Sequence, residues 1–242
     1  MNTLVITRVA ERQWHALDDD LVVGRGDASP RPDGRLFLSI DAWHDSVFER
    51  LAGAILAALP RPLYTVVDEG DLDLRTRWVQ AGLTTRRREW EYVMSSDGAA
   101  PRPGLTLLPI GIAALDPLRD LDRTIRAEIE ATIGWDQMPA AVLSRPLDPT
   151  CHTVAAERDA YVGLARLALL TRHTRIGLIA VRSDRRRRGI GRALLAEVLA
   201  ATRARGVATV SADVHEANTR AIALFEAAGA RRAGSNLELV IR

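Results

Sequence analysis

The sequence predicts a mixed α/β (α+β) fold in which helices flank a central sheet. Three observations predict it. Strand patterns alternate with helix patterns in the second half of the chain, a segment rich in Gly and Pro divides the chain, and parts of the first half recur in the second. The length of 242 residues exceeds that of a common single domain, so two small domains or one large domain are both compatible with it.

The amino-acid composition is that of a globular protein. Hydrophobic residues make up 47% and charged residues 26%, which argues against disorder. All 33 basic residues are arginine, but 31 acidic residues nearly balance them, so the net charge does not indicate a nucleic-acid partner. No apolar run reaches the roughly 18 residues of a membrane span, and the N-terminus lacks a signal-peptide pattern. We therefore expect a cytoplasmic protein without a membrane or nucleic-acid partner.

The segment 98–104, made only of Gly, Ala, Pro and Arg, is typical of a linker. It separates a first domain at 1–97 from a second at 105–242. In the second domain, apolar residues at helical spacing predict a helix over 115–133. Two further helices are predicted over 191–205 and 218–228, each followed by a glycine that stops it. Strands are predicted around them, at 105–110, 150–157, 161–170, 175–181, 207–214 and 237–241.

An internal repeat relates the two domains. Trp78–Leu83 matches Phe225–Ala230 at an offset of 147, and the same offset pairs Trp90–Val93 with Leu237–Val240. A strand and helix pattern over 36–59 also parallels one in the second domain. The ordered set of matches indicates a duplication.

The segment 179–191 leads from a strand through a basic turn directly into a helix. Helix N-termini present unpaired N–H groups and the positive end of the helix dipole, both of which favour a phosphate. Gly189 and Gly191 would let the backbone approach an anion closely. Taken alone, Gly-x-Gly marks many ordinary turns, and four consecutive arginines are also typical of a solvated loop or a nucleic-acid surface.

Arg186–Gly191 resembles the Arg/Gln-x-x-Gly-x-Gly/Ala signature of the GNAT (Gcn5-related) N-acetyltransferases. The strand that follows, then Asn218 and a helix leading to Leu224–Ala230, are similar to the same family. The resemblance covers 105–242. It implies an enzyme that transfers the acetyl group of acetyl-CoA, without a metal, to a primary amine by direct attack in a ternary complex.

The resemblance also implies a cofactor site. The strand backbone would pair with pantetheine, the loop amides would hold the pyrophosphate, and an amide near Ala180 would stabilise the developing oxyanion. The implied site residues are Ile179, Ala180, Val181, Arg186, Arg187, Arg188, Gly189, Ile190, Gly191, Arg192, Asn218 and Phe225.

The catalytic residues stay unassigned. Many family members carry a tyrosine proton donor where this chain has Phe225, which we interpret as a packing residue. The strand before the loop has no ionisable side chain over 176–181. On the next strand, alternation places Ser211, Asp213 and His215 on one face. Asp213 or His215 is therefore a candidate base acting through water, although a structural role is the more common one.

Two residues are candidates for the acceptor pocket, and the single cysteine is a third residue of chemical interest. Family architecture places Glu128 and Trp135 near the acceptor pocket. Cys151 is interpreted as a small core residue, because family chemistry needs no cysteine nucleophile. As the single cysteine it excludes an internal disulfide and a cysteine metal cluster.

The first domain is predicted to be a smaller, degenerate GNAT-like half that does not bind CoA. Where the loop should be, residues 41–50 contain three acidic residues and no glycine, and the acidic residues would repel a pyrophosphate.

The resemblance implies an amine acceptor, which is a small molecule, a peptide or a protein N-terminus, and a homodimer is one allowed arrangement. The alternative function is a non-catalytic acyl-CoA-binding or interaction module.

Overall fold

The computed structural model describes residues 4–31, 33–96, 105–132, 134, 146–158 and 160–242. The chain forms two compact units. Unit 1 is Met1–Glu89 with Gly234–Arg242, and unit 2 is Trp90–Ala233. The predicted linker at 98–104 lies outside the described residues. The helices and strands of both units are of the mixed α/β class, so the predicted fold class is confirmed.

The elements of the first part of the chain begin with three strands before any helix. They are β1 (Val5–Ala10), β2 (Gln13–Asp18), β3 (Leu21–Pro30), β4 (Leu36–Ala42), α1 (Asp45–Ala58), β5 (Leu63–Asp68), α2 (Leu72–Gln80) and β6 (Thr84–Ser95).

The second part of the chain has a helix between its first two strands. Its elements are β7 (Thr106–Leu108), α3 (Leu115–Thr132), β8 (His152–Glu157), β9 (Ala160–Leu169), β10 (Thr174–Val181), α4 (Ile190–Ala204), β11 (Thr209–His215), α5 (Thr219–Glu226) and β12 (Arg231–Ile241). By their residue ranges, β6 and β12 each contribute to both units.

Unit 1 contains a sheet in the order β1-β2-β3-β4-β5-β12-β6. Strands β1 to β4 form an antiparallel meander, β4 and β5 are parallel, and β5 is antiparallel to β12. Helices α1 and α2 pack on one face through buried residues such as Leu51 and Trp78. The same core includes Leu237, Leu239 and Ile241 of β12, so the end of the chain completes the fold of unit 1.

Unit 2 contains a sheet in the order β6-β11-β10-β9-β8-β7. Leu118 and Ile125 of α3 pack against Leu164 on one face. On the other face, Val198 of α4 and Phe225 of α5 belong to one core cluster. The central strands therefore have helices on both faces.

The duplication read from the sequence is visible in the order of elements. Strand, helix, strand, helix and strand recur as β4-α1-β5-α2-β6 and as β10-α4-β11-α5-β12. Trp78 and Phe225 are both buried in the second helix of the motif. Gly82 and Gly229, with φ of +96° and +82°, both follow that helix. Only Glu11 and Arg12 connect β1 to β2, so the first part has no counterpart of α3 there.

Four predicted strand boundaries differ from the structure by two residues or more, among them the end of β7 at Leu108 (predicted 110) and the start of β11 at Thr209 (predicted 207). The strand predicted to start at Thr150 starts at His152, because Pro149–Cys151 forms a 3₁₀ turn whose Thr150 N–H donates to the Asp148 carboxylate. The last strand starts at Arg231, six residues before the predicted 237. The three helices predicted in the second domain agree with α3, α4 and α5 within two residues at each end.

None of the helices among the described residues is both long and apolar enough to span a membrane.

Residues 1–97 expressed alone are expected not to fold cooperatively. Without β12, strand β5 loses its antiparallel neighbour and the core loses Leu237, Leu239 and Ile241. A core that small buries too little apolar surface to offset the loss of chain entropy on folding.

Thermal unfolding followed by circular dichroism tests this prediction. The matched control is the same fragment with residues 234–242 joined through a Gly/Ser linker, which should regain structure; a cooperative transition without those residues would contradict the account.

Candidate functional site

β10 and β11 pair only at their first residues. Thr174–Ile176 pairs with Val210–Ala212 in parallel, and the two strands form no later pair among the described residues. Beyond Ile176, the register of β10 against β9 shifts by one residue, which makes Gly177 a bulge. A bulge bends its strand. A gap therefore opens between β10 and β11 in the second half of both strands.

The backbone of β10 presents polar groups to this gap. Arg182 N–H donates to the Val162 carbonyl at 3.0 Å, and the register pairs Ala180 with Leu164. Alternate residues of an antiparallel strand direct their backbone groups to the same side. Ala180 therefore belongs to the ladder with β9, whereas Ile179 and Val181 direct their N–H groups toward the gap. The amides that face the gap are thus those on either side of Ala180.

The turn from β10 into α4 is held in an unusual backbone shape. Arg187 has a φ of +62° and Gly189 a φ of +80°. The left-handed region costs a non-glycine residue about 1 kcal/mol, so contacts around Arg187 must hold it there. Gly189 is the N-cap of α4 and makes no side-chain cap. The described first turn of α4 also contains no acidic residue, so its N–H groups and dipole are uncompensated.

The arginines of this turn fall into two groups. Carboxylates pair with those at its start, as Arg182–Asp184, Arg185–Glu157 and Arg186–Glu128. Arg187, Arg188 and Arg192 are exposed, and their side chains form no ion pair or hydrogen bond within the part of the chain that the structure describes. Uncompensated positive charge is therefore concentrated at the N-terminus of α4.

Gly191 keeps space open beside the gap. A Cβ at this position would lie 3.7 Å from Leu224 of α5 and 4.0 Å from the Val181 side chain. Both are ordinary van der Waals distances, so packing of the protein itself does not demand glycine. A side chain here would instead project into the space between α5 and the end of β10.

Asn218 and Phe225 mark the two ends of α5. The side-chain oxygen of Asn218 caps the helix by accepting the Ala221 N–H at 3.2 Å. Phe225 is buried and its ring stacks on that of Tyr92, with centroids 6.1 Å apart. The Tyr92 hydroxyl donates to Glu226 at 2.8 Å and accepts from Arg232. Phe225 therefore packs in the core, as we interpreted it from the sequence.

Alternation along β11 separates its polar side chains from the core. Val210, Ala212 and Val214 are core residues, so Asp213 and His215 lie on the opposite face. Asp213 forms an ion pair with Arg175. His215 Nδ1 accepts the Ala217 N–H at 3.1 Å, so the neutral ring carries its proton on Nε2 and presents a donor there. Asp213 is therefore held by an arginine, and the Nδ1 lone pair of His215 is used within its own turn.

No motif or spacing in the sequence singles out His152, which is 2% exposed at the start of β8. Its Nδ1 lies 2.6 Å from the Asp148 carbonyl and must donate to it, which leaves Nε2 as the acceptor. Burial lowers the pKa of His152; the hydrogen bond to Asp148 opposes this, and the Arg166 charge lowers the pKa further. The ring is therefore neutral at physiological pH. Cys151, half-buried beside it, has its sulfur 3.2 Å from the same carbonyl.

Glu128 lies at the turn into α4. Its carboxylate accepts the Ser183 N–H at 2.9 Å and pairs with Arg186 at 3.0 Å. The structure thus brings Glu128 to the residues predicted to bind phosphate. Trp135 lies outside the described residues.

The corresponding turn of unit 1 differs in charge and shape. β4 and β5 also pair only at their first residues, Leu36 and Phe37 with Leu63 and Tyr64. However, the first turn of α1 contains Asp45, which compensates the helix dipole. An open cavity of about 420 Å³ adjoins this turn and is lined by Val22, Val23, Gly24, Arg25, Asp41, Trp43 and His44.

Comparison with known families gives a match to the acetyltransferase (GNAT) family over residues 112–230. This range contains α3, the gap between β10 and β11, the turn into α4, and α5. The chain thus carries a GNAT acetyltransferase domain and is an acyltransferase. The resemblance read from Arg186–Gly191 is confirmed.

Solved structures with the same fold cover nearly the whole chain. A GCN5-related N-acetyltransferase from Sphaerobacter thermophilus is 20% identical, with a TM-score of 0.66 over 97% of this chain and 82% of that one. A tandem GNAT protein from the clavulanic acid biosynthesis pathway is 15% identical, with a TM-score of 0.67 over 95% of this chain and 82% of that one. A GCN5-related N-acetyltransferase from Kribbella flavida is 16% identical, with a TM-score of 0.61 over 98% and 89%. Comparison with curated proteins found no match.

Replacing Gly191 by aspartate is expected to weaken CoA binding at least about tenfold, or about 1.4 kcal/mol. The side chain would fill the space beside the gap and place a negative charge at the N-terminus of α4. Folding should be preserved, since an acid is favourable in a first helical turn. Isothermal titration with CoA, with thermal unfolding as a check, measures both effects.

Gly53→Asp is the matched control for this variant. Gly53 is a helical glycine of α1 with no atom within 4 Å of its would-be Cβ, and CoA binding should be unchanged. If the Gly191→Asp protein is folded and binds CoA as well as the wild type, the turn into α4 has no role in CoA binding.

Acidification below pH 6.5 is expected to destabilise the protein through His152. The ordinary histidine pKa is 6.5 and the folded value is lower, so the unfolded chain takes up a proton first. The free energy of unfolding then falls by up to about 1.4 kcal/mol per pH unit from this group.

Thermal midpoints measured between about pH 7.5 and pH 5 test this. His152→Asn keeps an N–H for the Asp148 carbonyl but does not titrate, so its midpoint should fall less than that of the wild type. His44→Asn removes an exposed histidine and should follow the wild type. Parallel pH dependence of His152→Asn and wild type would be the contrary result.

Proposed function

We propose that this protein is an N-acetyltransferase that transfers the acetyl group of acetyl-CoA to a primary amine. The observation that carries the proposal is the turn into α4. There, uncompensated N–H groups and the side chains of Arg187, Arg188 and Arg192 meet beside a gap in the sheet. Membership of residues 112–230 in an acyltransferase family supports the acyl-CoA chemistry.

The residues present fit acetyl-CoA in shape and charge. The backbone groups of Ile179 and Val181 that face the gap would bind the amide groups of pantetheine, as an added strand would. The amides of 187–192 and the nearby arginines would bind the pyrophosphate. Gly191, which leaves open the space between α5 and the end of β10, is where the cofactor would pass. Asn218 would contact the CoA arm through the amide N–H groups that its capping bond does not use.

The proposed reaction is a direct attack of the amine on the thioester carbon, which forms a C–N bond and releases the CoA thiolate. A backbone N–H of Ile179 or Val181 would stabilise the oxyanion. Because Asp213 is paired with Arg175 and His215 presents a donor, we infer that water carries the proton away from the amine. Phe225 cannot protonate the thiolate, and a thiolate of ordinary pKa (about 8.5) leaves without that help.

Unit 1 is proposed to be a non-catalytic, degenerate copy. The acid in the first turn of α1 and the absence of glycine over 41–50 support this, because an anion would find neither uncompensated N–H groups nor close backbone access.

A second candidate is a non-catalytic acyl-CoA-binding module. It is favoured by two observations. Phe225 is packed in the core, and both candidate bases of β11 are engaged, Asp213 with Arg175 and His215 with the Ala217 N–H.

Turnover of acetyl-CoA with a panel of primary amines, read by thiol release, separates the two functions. We expect amine-dependent release, with isothermal titration giving one CoA per chain. CoA binding without amine-dependent turnover would favour the binding module. Absence of CoA binding, or two CoA molecules per chain, would contradict the proposed site.

A further inference from the structure

Glu128 makes the most extensive side-chain contact with the turn into α4. Both carboxylate oxygens accept the Ser183 N–H, at 2.9 and 3.0 Å, and one accepts the Ser183 hydroxyl at 2.9 Å. The other accepts Arg186 Nη2 at 3.0 Å. The Glu128 side chain is 19% exposed and that of Arg186 39%, and hydrogen bonds with a charged partner are stronger than those between neutral groups.

Arg186 continues the contact to the end of β10. While its Nη2 donates to Glu128, its Nε donates to the Val181 carbonyl at 3.1 Å. The guanidinium thus bridges helix α3 and the last residue of the strand that borders the gap. Helix α3 is itself fixed by Leu118, Leu121 and Ile125, which are buried in the core of unit 2.

These contacts lie immediately before the strained part of the turn. Arg187, the next residue, adopts a φ of +62°, which is unfavourable for a residue with a Cβ. Fixing Ser183 and Arg186 at the start of the turn restricts the backbone conformations open to Arg187. The N–H groups of 187–192 then point where a phosphate can accept them.

We propose that Glu128 and Arg186 are positioning residues that hold the turn in its CoA-binding shape, and that Arg186 is not a phosphate ligand. This inference rests on the proposed function, namely that the turn binds CoA. Arg186 has its charge neutralised by Glu128, so the groups that contact phosphate begin at Arg187. The acidic side chain near the phosphate site therefore strengthens CoA binding.

The opposite role for Glu128 would be that of an internal anion that CoA must displace. The contacts argue against it, because Glu128 uses the Ser183 N–H, the Ser183 hydroxyl and Arg186. None of these belongs to the first turn of α4, where the unpaired N–H groups lie. The two roles predict opposite signs for the effect of removing the carboxylate.

The test compares Glu128→Gln and Glu128→Ala with the wild type by isothermal titration with CoA. We expect the dissociation constant to rise about tenfold for Glu128→Ala and less for Glu128→Gln, which retains one acceptor oxygen. Asp120→Asn is the matched control, because it removes an exposed carboxylate from the same helix, paired with Arg123 on the surface. Its dissociation constant should not change.

Two further measurements separate positioning from general destabilisation. In turnover assays, Glu128→Gln should raise KM for acetyl-CoA while leaving kcat and KM for the amine unchanged. Arg186→Gln combined with Glu128→Gln should weaken binding no more than either change alone, because the two residues act as a unit.

If folded Glu128→Gln protein binds CoA with an unchanged or smaller dissociation constant, the proposal is overturned. A smaller dissociation constant would show that Glu128 acts as a competing anion. Additive effects in the double variant also overturn it. Failure of the wild type to bind CoA would instead refute the proposed function, so the two failures are distinguishable.

Discussion

The early end of pairing between β10 and β11 is the constraint on which the candidate site depends. Two parallel strands that stayed paired to their ends would satisfy each other's backbone groups and leave no entry between them. Here pairing stops at Ile176 and Ala212, and the bulge at Gly177 keeps β10 bonded to β9 alone. The backbone N–H groups of Ile179 and Val181 are thus directed away from β9, and the turn into α4 follows them.

The two halves of the duplication differ in the charge at the N-terminus of the helix that follows this strand. Both halves keep a strand that leaves its parallel neighbour early and runs into a helix. In unit 2 the helix starts with glycines and unpaired arginines, whereas in unit 1 it starts with Asp45, which pairs with Arg77 at 2.6 Å. At the start of these helices the dipole is therefore uncompensated in unit 2 and compensated by an acidic residue in unit 1.

Local signals made much of this structure predictable. Glycines that stop helices, apolar periodicity and the Arg186–Gly191 motif each act within a few residues, and they located α3, α4, α5 and the turn. Contacts between distant residues were not predictable from one sequence. The contact of Arg186 with Glu128, 58 residues earlier, is one of these. The pairing of Arg86 with the buried Glu238 of β12, 152 residues later, is another.

Hydrogen exchange of backbone amides with and without CoA tests the central claim most directly. Unpaired amides at a helix N-terminus exchange quickly until an acceptor covers them. The account predicts that CoA protects the amides of 187–192 and of Ile179 and Val181, and leaves those of 42–48 in unit 1 unchanged. Protection at 42–48, or none at 187–192 in a protein saturated with CoA, would contradict it.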